Sequence, residues 1–112
     1  MFAEVKAMLP VSGDAYDAEI VMQIRAAALD LTRTSEIVLP GEISISRDAE
    51  TGEITDTSTL ADELIITTIA IWCQMRIGNP PNYDQLLKAY ESQKGSLRLS
   101  SEYTDYPGNQ EG

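Results

Sequence analysis

The feature that most limits what this chain can fold into is a largely apolar run of eighteen residues, Leu60 to Ile77, that holds no helix breaker until Gly78-Asn79-Pro80-Pro81. Its isoleucines and threonines would suit a strand. Its length decides otherwise, because ordinary strands stop at about ten residues, whereas near all-round apolarity over this span suits a helix buried at the centre of a domain. Thr59 followed by Asp62 predicts a capping-box-like start, and the Gly-Asn-Pro-Pro segment is a strong stop. The run does not read as a membrane span. Its apolar stretch, Leu64 to Ile77, is shorter than the roughly 20 residues a bilayer needs, contains Thr67, Thr68, Gln74 and Arg76, and is preceded by Asp62 and Glu63.

A central helix of this kind needs other elements to cover it, and the flanking sequence supplies them. Phe2, Val5, Met8 and Leu9 form a short helical stripe that Pro10 ends. After the turn Val11-Ser12-Gly13, Asp14 is placed as an N-cap for a second helix running to about Thr34, with Tyr16, Ile20, Val21, Ile24, Ala27, Ala28 and Leu31 on its inner face. Asp14, Asp17 and Glu19 near its start and Arg33 near its end complement the helix dipole. From residue 37 to 57 the period changes. Ile43 and Ile45 alternate with serines, Asp48-Ala49-Glu50-Thr51-Gly52 has turn chemistry, and Ile54 follows, so a β-hairpin is expected with Gly52 in the left-handed conformation. A two-stranded hairpin is marginal alone, so Ile43, Ile45 and Ile54 must pack on the helices or on an adjacent subunit.

Asn82 and Gln85 open a fourth helix carrying Tyr83, Leu86, Leu87, Tyr90 and Leu97, weakened near its end by Gly95. The expected fold is therefore mainly α: a small four-helix domain, residues 1–99, with a β-hairpin insertion between the second and third helices. Residues 100–112 are polar and acidic, contain Pro107-Gly108, and are expected to form a flexible tail.

Composition excludes much chemistry. With no histidine, the commonest general base and metal ligand are missing. The single Cys73 lies within the apolar run, so neither an internal disulfide nor a thiol cluster can form. Phosphate-cradling glycine loops, metal-ligand spacings and serine nucleophile elbows are absent from the sequence. Trp72, Cys73 and Met75 fall at core spacing, and Asp62 with Glu63 reads as helix capping rather than acid–base chemistry. Eighteen acidic against eight basic residues give a net charge of −10, which repels phosphate backbones and argues against sequence-specific DNA binding. The N-terminus lacks the pattern of a secretion signal, and synthesis in a reducing cytoplasm fits the lone cysteine.

Several segments resemble the head-tail connector proteins of tailed bacteriophages: Ile71-Trp72-Cys73-Gln74-Met75-Arg76-Ile77-Gly78-Asn79-Pro80, then Asn82-Tyr83, then Tyr90-Glu91-Ser92-Gln93-Lys94, then Leu97-Arg98-Leu99-Ser100-Ser101-Glu102-Tyr103. Glu4-Val5-Lys6-Ala7-Met8-Leu9 followed by Asp14 and a long helix is similar to the start of such proteins. The likeness runs from about Val5 to Tyr103, and its specificity lies in order and spacing rather than in any single motif. The hairpin is its least typical part. The resemblance implies a structural protein without catalytic residues or cofactors, present as a ring of about a dozen copies beneath the portal protein. Such a ring extends the channel through which DNA passes and offers a platform to the next neck or tail protein. It also implies a place in the virion, at the head-tail junction, after assembly in the host bacterial cytoplasm.

Within that frame, Ile43, Ile45, Ile54, Tyr103 and Tyr106 are expected to contact a subunit or partner. Glu42, Asp48, Glu50, Glu53 and Asp56 are expected to line the channel or a contacting loop. An alternative from another class is a small acidic regulator that binds a basic protein surface, with strong salt dependence.

Overall fold

In a computed structural model of the chain, the described residues are 1–78, 80–100 and 103. The apolar run forms the central helix of the fold. It is α3, Glu63–Arg76, flanked in sequence by α1, Phe2–Ala7, and α2, Asp17–Leu29, on one side and by α4, Tyr83–Leu99, on the other. A π-helical turn, Asp30–Thr34, continues α2, and the antiparallel hairpin of β1, Ile45–Arg47, and β2, Ile54–Asp56, lies between α2 and α3 in the chain. The expected fold class is therefore the observed one.

α3 buries Ile65, Ile66, Thr68, Ile69, Ala70, Cys73 and Met75. α2 meets it with Ile20, Val21, Ile24 and Ala27, α1 with Phe2 and Val5, and α4 with Tyr90 and Leu97. Each large aliphatic side chain so enclosed contributes about 1.5–3 kcal/mol relative to exposure. Polar groups that enter this core are matched. Thr68 is hydrogen-bonded to the Leu64 carbonyl at 2.7 Å and to the Gln93 side chain, and the Trp72 indole N–H donates to Gln23 at 3.0 Å. The π-helical turn sets Asp30 against α4, where it accepts from the Tyr90 hydroxyl at 2.5 Å and from Lys94 at 3.2 Å. Burial and that neighbouring carboxylate raise the Tyr90 phenol above its ordinary range.

Two helix starts differ from the sequence expectation. The first turn of α2 begins after Tyr16, not at Asp14, because the Asp14 carbonyl accepts from the Asp17 amide in a preceding turn and no side chain caps the helix. Asp17 is buried and paired with Lys6 at 2.7 Å, tying α2 to α1. Asp62, rather than Thr59, is the N-cap of α3, its carboxylate accepting from the Ile65 amide at 3.0 Å. Thr59 instead accepts from the Glu42 amide at 2.8 Å through its hydroxyl, closing the base of the hairpin.

Tyr103 has folded back after α4. Its ring is only 6% exposed, its hydroxyl donates to Asp62 at 2.7 Å, and its carbonyl accepts from Val38 at 2.6 Å. Tyr103 thus belongs to the packed core, while residues 101, 102 and 104–112 of the expected tail lie outside the described residues.

Candidate interaction surfaces

The hairpin is bound to its own domain. Ile45 is 4% exposed within the core, and Ile43 and Ile54 are half-buried against it. The Arg25 guanidinium on α2 donates to the Ile45 carbonyl, which fixes the inner strand to the helix. Of the residues expected to meet a partner, Ile45 and Tyr103 are buried in the chain's own packing. Ile43 and Ile54 keep part of their surface, and Tyr106 lies outside the described residues.

The five acidic residues of this region divide by task. Asp48 braces the turn, its carboxylate accepting from the Glu50 and Thr51 amides at 2.8 and 3.0 Å, and these backbone bonds hold its carboxyl below the ordinary range. Gly52 takes the left-handed conformation expected of it, φ 77°, and donates to the Asp48 carbonyl. Asp56 faces the other way and accepts from the Phe2 amide at 2.7 Å, with the Met1 amino group 3.0 Å off. Glu42, Glu50 and Glu53 are exposed, and no side-chain partner is found for them among the described residues. These three carry charge that no described side chain engages, with Glu50 and Glu53 at the tip, whereas the exposed Asp48 and Asp56 are held by hydrogen bonds.

Asp56 carries a pH dependence. Burial pushes its carboxyl up, but the Phe2 amide, Ser58 and the amino group of Met1 outweigh this and bring it well below the usual carboxylate range. A depressed carboxylate contributes stability that is fully present above its unfolded-state value of about 4 and is lost as pH falls toward the folded-state value. Asp56→Asn is therefore expected to cost about 1 kcal/mol at pH 7, allowing for solvent screening, with a visibly smaller difference at pH 3. Urea denaturation of both proteins at the two pH values checks this; a difference independent of pH would rule it out.

The remaining apolar surface lies on the helices. Met22 and Leu29 on α2 are 58% and 49% exposed, Tyr83 and Leu87 on α4 are exposed, and Leu99 at its end is 89% exposed. Tyr16, placed on the inner face of α2 by its spacing, in fact faces outward, as do Tyr83 and Leu87 of α4. Met22 and Leu29 lie out of phase with the core stripe of α2, so the pattern that marks its buried face does not include them. The signal was their own spacing, seven residues apart and off the stripe, which marks a second apolar face on α2. Met8 and Leu64 are also exposed, and Met8 borders a groove between α1 and α3 formed by Glu4, Ala61, Glu63, Ile66 and Thr67.

Cys73 is enclosed in α3, and burial pushes its thiol up to about 12, so it is protonated and unreactive near neutral pH. Among the described residues no group of three or more Cys, Asp or Glu side chains is placed to hold a metal ion, and no helix is long and apolar enough to cross a membrane.

Taken together, these features define a small helical domain whose distinctive surfaces are an acidic hairpin tip and two outward apolar helix faces. Residues 1–104 match the family model described as phage connector protein, and the chain belongs to that family. The resemblance carried by the segments around Trp72, Tyr90 and Leu97 is thereby confirmed, and with it a structural role as a head-tail connector. No curated protein and no solved structure matches the chain.

Proposed function

We propose that copies of this protein form a ring of about a dozen subunits beneath the phage portal, lengthening the DNA channel and providing the platform on which a neck or tail protein docks. The observation that carries this reading is the family match over residues 1–104, which takes in every helix and the hairpin. The acidic balance supports it, since a surface that repels phosphate lets DNA pass without sequence-specific binding. In this reading the protein is a virion component of the head-tail junction, assembled in the bacterial cytoplasm.

The hairpin tip is the part of this surface assigned to the portal. Glu50 and Glu53 project there while Asp48 keeps the turn rigid, so a basic partner surface would meet a preformed acidic edge. Replacing residues 48–53 by Asn-Gly, a two-residue hairpin turn, should leave the helical circular dichroism unchanged. Rings seen by electron microscopy on portal-bearing heads should fall about tenfold in number, from the loss of roughly 1.4 kcal/mol of contact. Undiminished ring formation would remove the tip from the interface. A stable monomer that binds basic proteins in a salt-dependent way but never joins heads would favour the regulator instead.

A further inference from the structure

Resting on the ring reading above, we infer that the outer face of α2 in one subunit packs antiparallel against the outer face of α4 in the next. The starting observation is Gly95. A glycine inside a helix weakens it relative to alanine, and a glycine is normally kept where φ is positive or a neighbour crowds the Cβ position. Among the described residues neither holds: Gly95 is absent from the positive-φ residues, and a Cβ built on it would meet nothing within 4 Å. Nothing in the described part of its own chain requires the missing side chain. Beside it stand Arg98 and the almost fully exposed Leu99, so α4 presents a notch followed by a knob.

The complementary surface is on the same molecule. Ala18, Met22 and Leu29 lie along the solvent side of α2, and that helix with its π-helical turn runs from residue 17 to 34, about 25 Å and close to the length of α4. Antiparallel alignment that seats Met22 in the Gly95 notch also sets Leu99 over Ala18 and Leu29 beside Leu87. The same register brings Arg33 to Asp84 and Glu19 to Arg98. No partner is found for any of these four charges among the described residues. Parallel alignment would do the reverse, placing Glu19 near Asp84 and Arg33 near Arg98. Charge and size therefore select one direction. The two faces are different surfaces of one chain, so their pairing is head-to-tail, the kind that closes into a ring when the rotation between subunits permits.

The experiment uses the full chain with Met22→Cys and Gly95→Cys, both at exposed positions, the shortened side chain at 22 leaving room in the notch for the one at 95, while the buried Cys73 stays inert. Oxidation of rings, free or on portal-bearing heads, should yield a ladder of covalent multimers. Each single variant alone should yield none, and a mixture of the two should yield crosslinked pairs only. Gly95→Ala should melt about 3–5 °C higher yet form at least fivefold fewer rings. Arg33→Glu should lower ring yield up to about fivefold, with recovery when Asp84→Arg is added. Rings of normal size without the 22–95 crosslink, crosslinks of residue 22 to itself, or undisturbed assembly of Gly95→Ala would overturn the pairing and leave the ring reading standing. Absence of any ring on heads that carry this protein would overturn both.

Discussion

Gly41→Ala is expected to destabilise the protein by about 3 kcal/mol or more, combining backbone strain with overpacking. Gly41 has φ 148°, a conformation that residues with a side chain rarely adopt, and a Cβ there would lie 2.7 Å from the Leu60 Cα and 2.9 Å from its amide nitrogen. These are backbone atoms at the threshold of α3, and they cannot step aside. The Glu42 carbonyl accepts from the Thr59 and Leu60 amides at 2.9 and 3.1 Å, so the strand leading into β1 and the segment leaving β2 are laced together at this point. Equilibrium urea unfolding should show a lower midpoint. Gly13→Ala is the control: its φ is 72° but nothing lies within 4 Å, so only the conformational penalty of about 1 kcal/mol applies. Equal losses at the two positions would show that close approach to Leu60 does not matter.

Asp62→Ala should cost about 2–4 kcal/mol, because one carboxylate serves two elements. One oxygen caps α3 through the Ile65 amide, and the other accepts from the Tyr103 hydroxyl, which brings the chain after α4 back over the start of α3. Tyr103→Phe removes only the second bond and should cost about 1 kcal/mol. A double-mutant cycle between the two should give a coupling of about 0.5–1.5 kcal/mol. A coupling of zero would mean that the contact at Tyr103 adds nothing to the fold.

These two positions show where sequence reasoning stopped. Pro40-Gly41 is by itself a turn signal, but the need for glycine at 41 comes from Leu60, nineteen residues later, packed against the same backbone. Asp62 was legible as a capping residue, yet its bond to Tyr103 joins segments separated by 41 positions. The hairpin turn was read correctly because its determinants are local: Asp48 bonds residues two and three ahead, and Gly52 supplies the positive φ.

The candidate surfaces divided in the same way. Acidic residues at 42 to 56 are visible in the sequence as a cluster, but only folding separates Asp48 and Asp56, whose carboxylates accept backbone amides, from Glu42, Glu50 and Glu53, which no described side chain engages. Tyr103 looked like an anchor for a partner because polar residues surround it in sequence. Its real neighbours, Asp62 and Val38, are distant along the chain. Met22 and Leu29 were hidden for the opposite reason: an apolar residue off the core stripe has meaning only once the core side of the helix is known.

By itself the sequence determined the four helices, the hairpin and the central position of the Leu60 to Ile77 run, because periodicity, turn residues and helix stops act over a few residues. It also carried the family, through the order of segments from Val5 to Tyr103. Tertiary structure alone decided which acidic side chains are free to meet a partner, why residue 41 must be glycine, and which faces of α2 and α4 stay uncovered. Burial and hydrogen bonding between segments far apart in the chain settle those questions, and no local pattern encodes them.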